Sequence, residues 1–190
     1  LWDGVTGMHD LGTLGGTDSL AYGINNAGQV VGSSHIATEA DHAFLWDAVS
    51  GMEDLGTLGG TYSKASGIND FGRVVGGSNT ASGDWSPFLW DHANGMVDLN
   101  PLLPPGSDLT LDSAHDINKN GDIVGSCARP GRFGSTAFLA RTGPSEGAGD
   151  AGEGTTGGDI CEGKDGGVAY ACSVVGIWAA GKSRRRRKGE

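Results

Sequence analysis

His42-Ala-Phe-Leu-Trp-Asp47, then Gly51-Met-Glu-Asp-Leu-Gly-Thr-Leu-Gly-Gly-Thr61, then Gly67-Ile-Asn-Asp-Phe-Gly-Arg-Val-Val-Gly76 decide the fold, because they recur. Leu45-Trp46-Asp47 has copies at Leu1-Trp2-Asp3 and Leu89-Trp90-Asp91, 44 residues away on either side. Gly51-Met52-x-Asp54-Leu55 has copies starting at Gly7 and Gly95, and Leu11 to Thr17 repeats Leu55 to Thr61 without change. Ala65-x-Gly-Ile-Asn69 matches Ala21 to Asn25 and Ala114 to Asn118. Val74-Val75-Gly76 matches Val30-Val31-Gly32 and Ile123-Val124-Gly125. The third copy carries an insertion around Pro101–Leu109, and the pattern restarts once more at Ala137-Phe138-Leu139. A fixed period of this length is the signature of a repeat architecture.

Each unit reads as four short strands, at 42–46, 52–55, 64–68 and 73–78, four to six residues each and bounded by Gly, Asn, Asp and Ser. No window carries apolar residues at helical spacing, and 36 glycines in 190 residues, against a usual share of about 7%, disfavour a helix. Asn25-Asn-Ala-Gly28, Asn69-Asp-Phe-Gly72 and Asn118-Lys-Asn-Gly121 are hairpin turns: Asn bonds its own backbone and Gly takes positive φ. The Gly-Thr-Leu-Gly-Gly segment is longer and crosses an end of the sheet. Four antiparallel strands per unit is the arithmetic of a propeller blade. The expected fold is all-β: four-stranded antiparallel sheets in a partial, about three-bladed β-propeller-like array, ending in a disordered C-terminal tail. The expected units are 1–41, 42–85 and 86–134, with an extra strand at 135–140.

These strings resemble the HAF repeat, a family described as probable extracellular repeats of bacterial surface or secreted proteins. The resemblance covers residues 1–140. It implies an all-β, propeller-like fold and a secreted or cell-surface location, and it brings no catalytic residues with it. The third unit departs most, with Leu99-Asn-Pro-Leu-Leu-Pro-Pro105 in place of the glycine-rich crossing, as a capping unit does.

Charge divides the chain. Residues 1–140 hold five Lys and Arg against sixteen Asp and Glu, a net of −11. That excludes nucleic acid as the main partner, since phosphate binding needs a basic face. Residues 141–190 carry a net of +1. Of these, 141–167 read as a Gly/Ser/acid-rich linker. Residues 168–190 hold a short apolar segment and an Arg-rich end. This tail resembles the C-terminal sorting signals of bacterial surface proteins, of the myxobacterial type, with Cys161 in the motif and Arg184, Arg185, Arg186 and Arg187 as the basic end. The other reading is a disordered tail. Three cysteines without a CxxC spacing give no disulfide framework. No run of 18 apolar residues encodes a membrane span. With Leu1-Trp2-Asp3 at its start, the chain is expected to be a fragment or processed product.

Chemistry-bearing patterns are sparse. Asp116-x-Asn-x-Asn-Gly121 matches half a calcium loop, but Cys127 stands where the bidentate acid belongs, so a hairpin turn is the expectation. His9, His35, His42, His92 and His115 do not recur in register and show no metal spacing. There is no nucleophile elbow and no phosphate loop. No catalytic, cofactor-binding or metal residue is therefore assigned, and no cofactor is expected. Trp2, Trp46 and Trp90 repeat with Met8, Met52 and Met96 and read as inter-sheet core, with an aromatic ligand platform as the other reading. Asp10, Asp54 and Asp98 repeat as caps on turn N–H groups. Residues that break the repeat are where binding is built: Trp85, Pro101, Pro104 and Pro105 form the candidate binding loop. The expected function is a non-enzymatic secreted or surface scaffold for an extracellular protein or polysaccharide, with self-association to complete a propeller. The alternative is a fragment of a secreted propeller hydrolase or lyase whose catalytic residues lie upstream.

Overall fold

The computed structural model describes residues 2–4, 7–131, 133–141 and 170–173. In chain order the strands are β1 (Trp2–Asp3), β2 (Gly7–Met8), β3 (Gly15–Ile24), β4 (Val30–Ile36), β5 (Asp41–Asp47), β6 (Gly51–Asp54) and β7 (Gly59–Ile68). They continue as β8 (Val74–Thr80), β9 (Trp85–Asp91), β10 (Gly95–Asp98), β11 (Thr110–Ile117), β12 (Ile123–Ala128), β13 (Thr136–Arg141) and β14 (Tyr170–Ser173). The only helical turn among the described residues is a 3-10 turn at Asn100–Leu102. The chain is all-β.

Three four-stranded sheets form: β3-β4-β5-β6, β7-β8-β9-β10 and β11-β12-β13-β14. The first two are antiparallel throughout. In the third, β14 adds in parallel to β13, pairing Phe138 with Tyr170 and Arg141 with Ser173. β1 and β2 make a separate hairpin. The described sheets do not close into a ring.

The turns behave as their sequence requires. Asn69 Oδ1 accepts the N–H of Phe71 at 3.0 Å and of Arg73 at 3.1 Å, while Gly72 sits at φ +74 and returns its N–H to the Asn69 carbonyl. Asn25 and Asn118 repeat this pattern. The half-calcium-loop residues are thus spent on a hairpin turn: Asn118 also donates to Asp122 Oδ2, and Asp116 Oδ1 accepts the N–H of Ile117.

Two features differ from the sequence reading. First, the sheets are out of phase with the 42–85 unit. The first two sheets each take the last two strands of one unit and the first two of the next, and the third takes β11, β12, the extra strand β13 and β14. The reason lies in the connections. Three of the four in each period are tight hairpins that stay in one sheet, while Leu55–Leu58 steps to the next sheet. Second, β3 and β7 are ten residues long, and β4, β5, β8 and β9 are seven. The Gly-Gly-Thr lead-in extends the first strand of the sheet, and in β7 register shifts between Gly59 and Ser63 and between Ala65 and Gly67 bend it.

The core lies between sheets. Val31, Ala43, Leu45 and Leu55 meet Ala65, Ile68, Val74, Phe88 and Trp90 across the first junction. Val75, Leu89 and Leu99 meet Leu111, Ala114, Ile117, Ile123 and Phe138 across the second. The middle sheet is covered on both faces, so Phe88-Leu89-Trp90 is a continuous apolar run with no polar alternation. Each fully buried aliphatic or aromatic side chain contributes about 1.5–3 kcal/mol. Phe44, Phe88 and Phe138 stand opposite Gly32, Gly76 and Gly125 in the ladders. At Gly32 and Gly125 the ring lies over the glycine, with Cε1 2.8 and 2.6 Å from where a Cβ would be. The Val-Val-Gly and Ala-Phe-Leu motifs are therefore one packing device.

Candidate functional site

Most repeated polar side chains serve the backbone. Asp10, Asp54 and Asp98 each accept the N–H two residues on, at 2.8–3.0 Å, where the chain leaves a sheet. Asp54 also meets His42 Nδ1 at 2.9 Å, and Ser86, at the same position one period on, donates to Asp98. Asp47 accepts the N–H groups of Val49 and Ser50, which hold its carboxyl below the usual carboxylate value. Buried Ser34 and Ser78 take the N–H of Leu14 and Leu58 in the crossings. The asparagines of the turns link the sheets: Asn25 Nδ2 donates to the Asn69 carbonyl and Asn69 Nδ2 to the Asn118 carbonyl, both at 3.0 Å.

Trp90 is buried as inter-sheet core, with Met96 packed against the same cluster. Trp46 and Met52 are half-buried. Met8 is 78% exposed, which corrects the core reading at that position: its hairpin has two strands where the full sheets have four. The side chain of Trp2 lies outside the described residues.

A groove of about 380 Å³ runs across β3, β7 and β11, the first strand of each sheet. It is lined by equivalent positions, three in each of the first two sheets, Tyr22-Gly-Ile24 and Ser66-Gly-Ile68, and two in the third, His115-Asp116. Here the repeat breaks. Tyr22, Ser66 and His115 share one position, and Gly23, Gly67 and Asp116 the next. The strands come close because Gly67 has no side chain; a Cβ there would lie 2.8 Å from Asp116 Oδ1. Lys64 Nζ sits 4.0 Å over the Tyr22 ring and orients it. The groove therefore offers a phenol, a hydroxyl, an imidazole and a carboxylate between two isoleucines. Sequence reading missed it. Its signal was the variable position inside Ala-x-Gly-Ile-Asn.

Trp85 is 45% exposed, and its indole covers Gly77. Pro101, Pro104 and Pro105 are exposed, while Leu102, Leu103 and Leu109 of the same insertion pack on the second core. Asn100 Nδ2 donates to Ser86 Oγ at 2.8 Å, so Trp85 and Pro101 each adjoin one end of that bond. A second unforeseen cluster surrounds His35. Its Nδ1 lies 3.0 Å from Glu39 and 3.6 Å from Asp18, and its Nε2 lies 3.6 Å from Asp41. Glu39 holds φ +62 where the next unit has Gly83, and its carboxylate accepts from Thr17. Among the described residues, no three or more His, Cys, Asp or Glu are placed to hold a metal ion.

Cys161 and Arg184–Arg187 lie outside the described residues, as does the linker beyond Arg141. Within the apolar segment, Tyr170–Ser173 forms β14 on the β13 edge instead of a disordered stretch. That edge lacks the Gly-Met-x-Asp strand that follows β5 and β9, and its N–H and C=O groups need partners. No described helix is long and apolar enough to cross a membrane. No family model, curated protein or solved structure matches the chain.

Proposed function

We propose that the chain is a non-enzymatic, secreted or cell-surface scaffold of propeller-like stacked sheets, and that its inner-strand groove binds polysaccharide. One observation carries this reading. The repeated Asp, Asn and Ser side chains are committed to backbone N–H and C=O groups, whereas polar side chains that do not repeat collect where the repeat breaks, at Tyr22, Ser66, His115 and Asp116, of which Asp116 also accepts the Ile117 N–H. An aromatic face beside a few convergent polar groups suits a sugar ring, which has an apolar face and a hydroxyl edge. The net charge of −11 over residues 1–140 repels anionic polymers and favours neutral or amine-bearing glycans. Trp85 extends the aromatic surface at a second place. The resemblance of residues 1–140 to HAF repeats supports the extracellular location, and the Cys161 and Arg184–Arg187 tail supports retention at the surface.

Titration calorimetry with cellohexaose, chitohexaose and an anionic control, hyaluronan, tests the reading. Binding of a neutral or amino glycan is expected, with Tyr22→Ala and Asp116→Ala each weakening it about tenfold, near 1.4 kcal/mol. Absence of binding to all of these glycans, or binding untouched by both substitutions, contradicts it.

A further inference from the structure

We infer that the groove selects amine-bearing sugars through Asp116, an assignment that rests on the glycan reading above and names the ligand class within it. A repeated irregularity of the backbone builds the site. In β3 the pairing with β4 jumps from Ala21 opposite Gly32 to Gly23 opposite Val31, so Tyr22 is an extra residue. β7 jumps in the same way at Ser66, between Ala65 and Gly67, and β11 at His115, between Ala114 and Asp116. Each is a β-bulge, which sets two residues of one strand against one of its partner and re-aims the side chains there. In a regular strand neighbouring side chains point to opposite faces. At the bulge in β11, His115 and Asp116 are neighbours in the chain and yet line the same groove.

The residue after the bulge decides the charge. It is Gly23 in the first sheet, Gly67 in the second and Asp116 in the third. The glycines let the strands approach: a Cβ at Gly23 would lie 3.3 Å from the Ser66 carbonyl oxygen, and one at Gly67 2.9 Å from the Asp116 Cα. Against this bare backbone Asp116 brings the one carboxylate that lines the groove among the described residues. Its Oδ1 accepts the Ile117 N–H, a small part of the roughly four acceptor sites of an ionised carboxylate. The residue is exposed, so a ligand reaches it. Lys64 is engaged on the Tyr22 ring and does not line the groove. A sugar with its apolar face on Tyr22 and an ammonium at Asp116 gains a charge-assisted hydrogen bond that a hydroxyl or an N-acetyl group cannot make.

Titration calorimetry of the full chain with glucosamine hexaose and with its N-acetylated form, chitohexaose, tests this at a pH where the sugar amine carries its proton. The amine form is expected to bind about three- to fivefold more tightly, the worth of an exposed ion pair. The preference shrinks between about 0.1 M and 1 M salt, as screening shortens the reach of the charge. Asp116→Asn keeps an oxygen for the Ile117 N–H and brings the two affinities together. Asp116→Gly, which gives the third sheet the residue that the other two carry after the same bulge, does the same. Glu53→Gln removes an equal charge from β6, at the opposite edge of the first sheet from β3, and leaves the preference intact. Equal affinities in the parent chain, binding of cellohexaose alone, or a preference that survives Asp116→Asn overturns the inference while the glycan reading stands. Binding of none of the three sugars overturns both.

Discussion

Asn69 shows how one residue is made to do three jobs. Its Oδ1 caps two turn N–H groups, its Nδ2 bridges to the Asn118 carbonyl, and it is buried. Asn69→Ala leaves those N–H groups and that carbonyl short of partners, and unmade buried hydrogen bonds cost about 1–3 kcal/mol. A urea-unfolding loss of about 2 kcal/mol is expected, against a smaller loss for Asn118→Ala, whose amide reaches only an exposed carboxylate. Equal losses would show that the bridge between sheets contributes nothing. Asp70 supplies a pH signature. The N–H and side-chain amide of Asn26 hold its carboxyl below the ordinary 3.8. A depressed folded value means that its stabilising contribution is complete above about pH 3.8 and fades as pH falls further, through the folded value. Asp70→Ala removes that component, so the variant loses less stability between pH 5 and pH 2 than the parent in urea titrations. A variant as acid-sensitive as the parent would assign the bond no role.

At the scale of the element, the glycines inside strands carry the argument. A Cβ at Gly76 would collide with the carbonyl of Lys64, at the bend in β7. Gly76→Ala is expected to lower stability by about 3 kcal/mol, the upper range for overpacking, and a thermal midpoint unchanged from the parent would refute the close approach. Strand identity and the turns were legible, because Asn-x-x-Gly between two apolar runs has a local mechanism. The grouping of strands into sheets was not. A period fixes pitch but not phase, and phase depends on which connection steps between sheets. The serine-bound crossings at Leu14 and Leu58 settle that only in three dimensions. β14 was illegible for another reason: it fills an edge left open by a missing partner, a demand made by β13 and not by the residues 170–173 themselves.

For the whole molecule, the repeat was readable as a stack, while the groove was hidden by the regularity around it. Tyr22, Ser66 and His115 are far apart in the chain and gain meaning only when β3, β7 and β11 converge. Among the described residues, the middle sheet contributes to both buried inter-sheet clusters. Phe88→Ala, in that sheet, opens a cavity and should cost about 3–5 kcal/mol by urea unfolding. A cost below 1 kcal/mol would place Phe88 outside the core. The most direct test of stacked sheets as the source of stability is residue-by-residue amide hydrogen exchange. The slowest amides should belong to β8 and β9, around Val74, Val75, Leu89 and Trp90. Slowest exchange in the first or third sheet, or no protection of β8 and β9, would contradict the account.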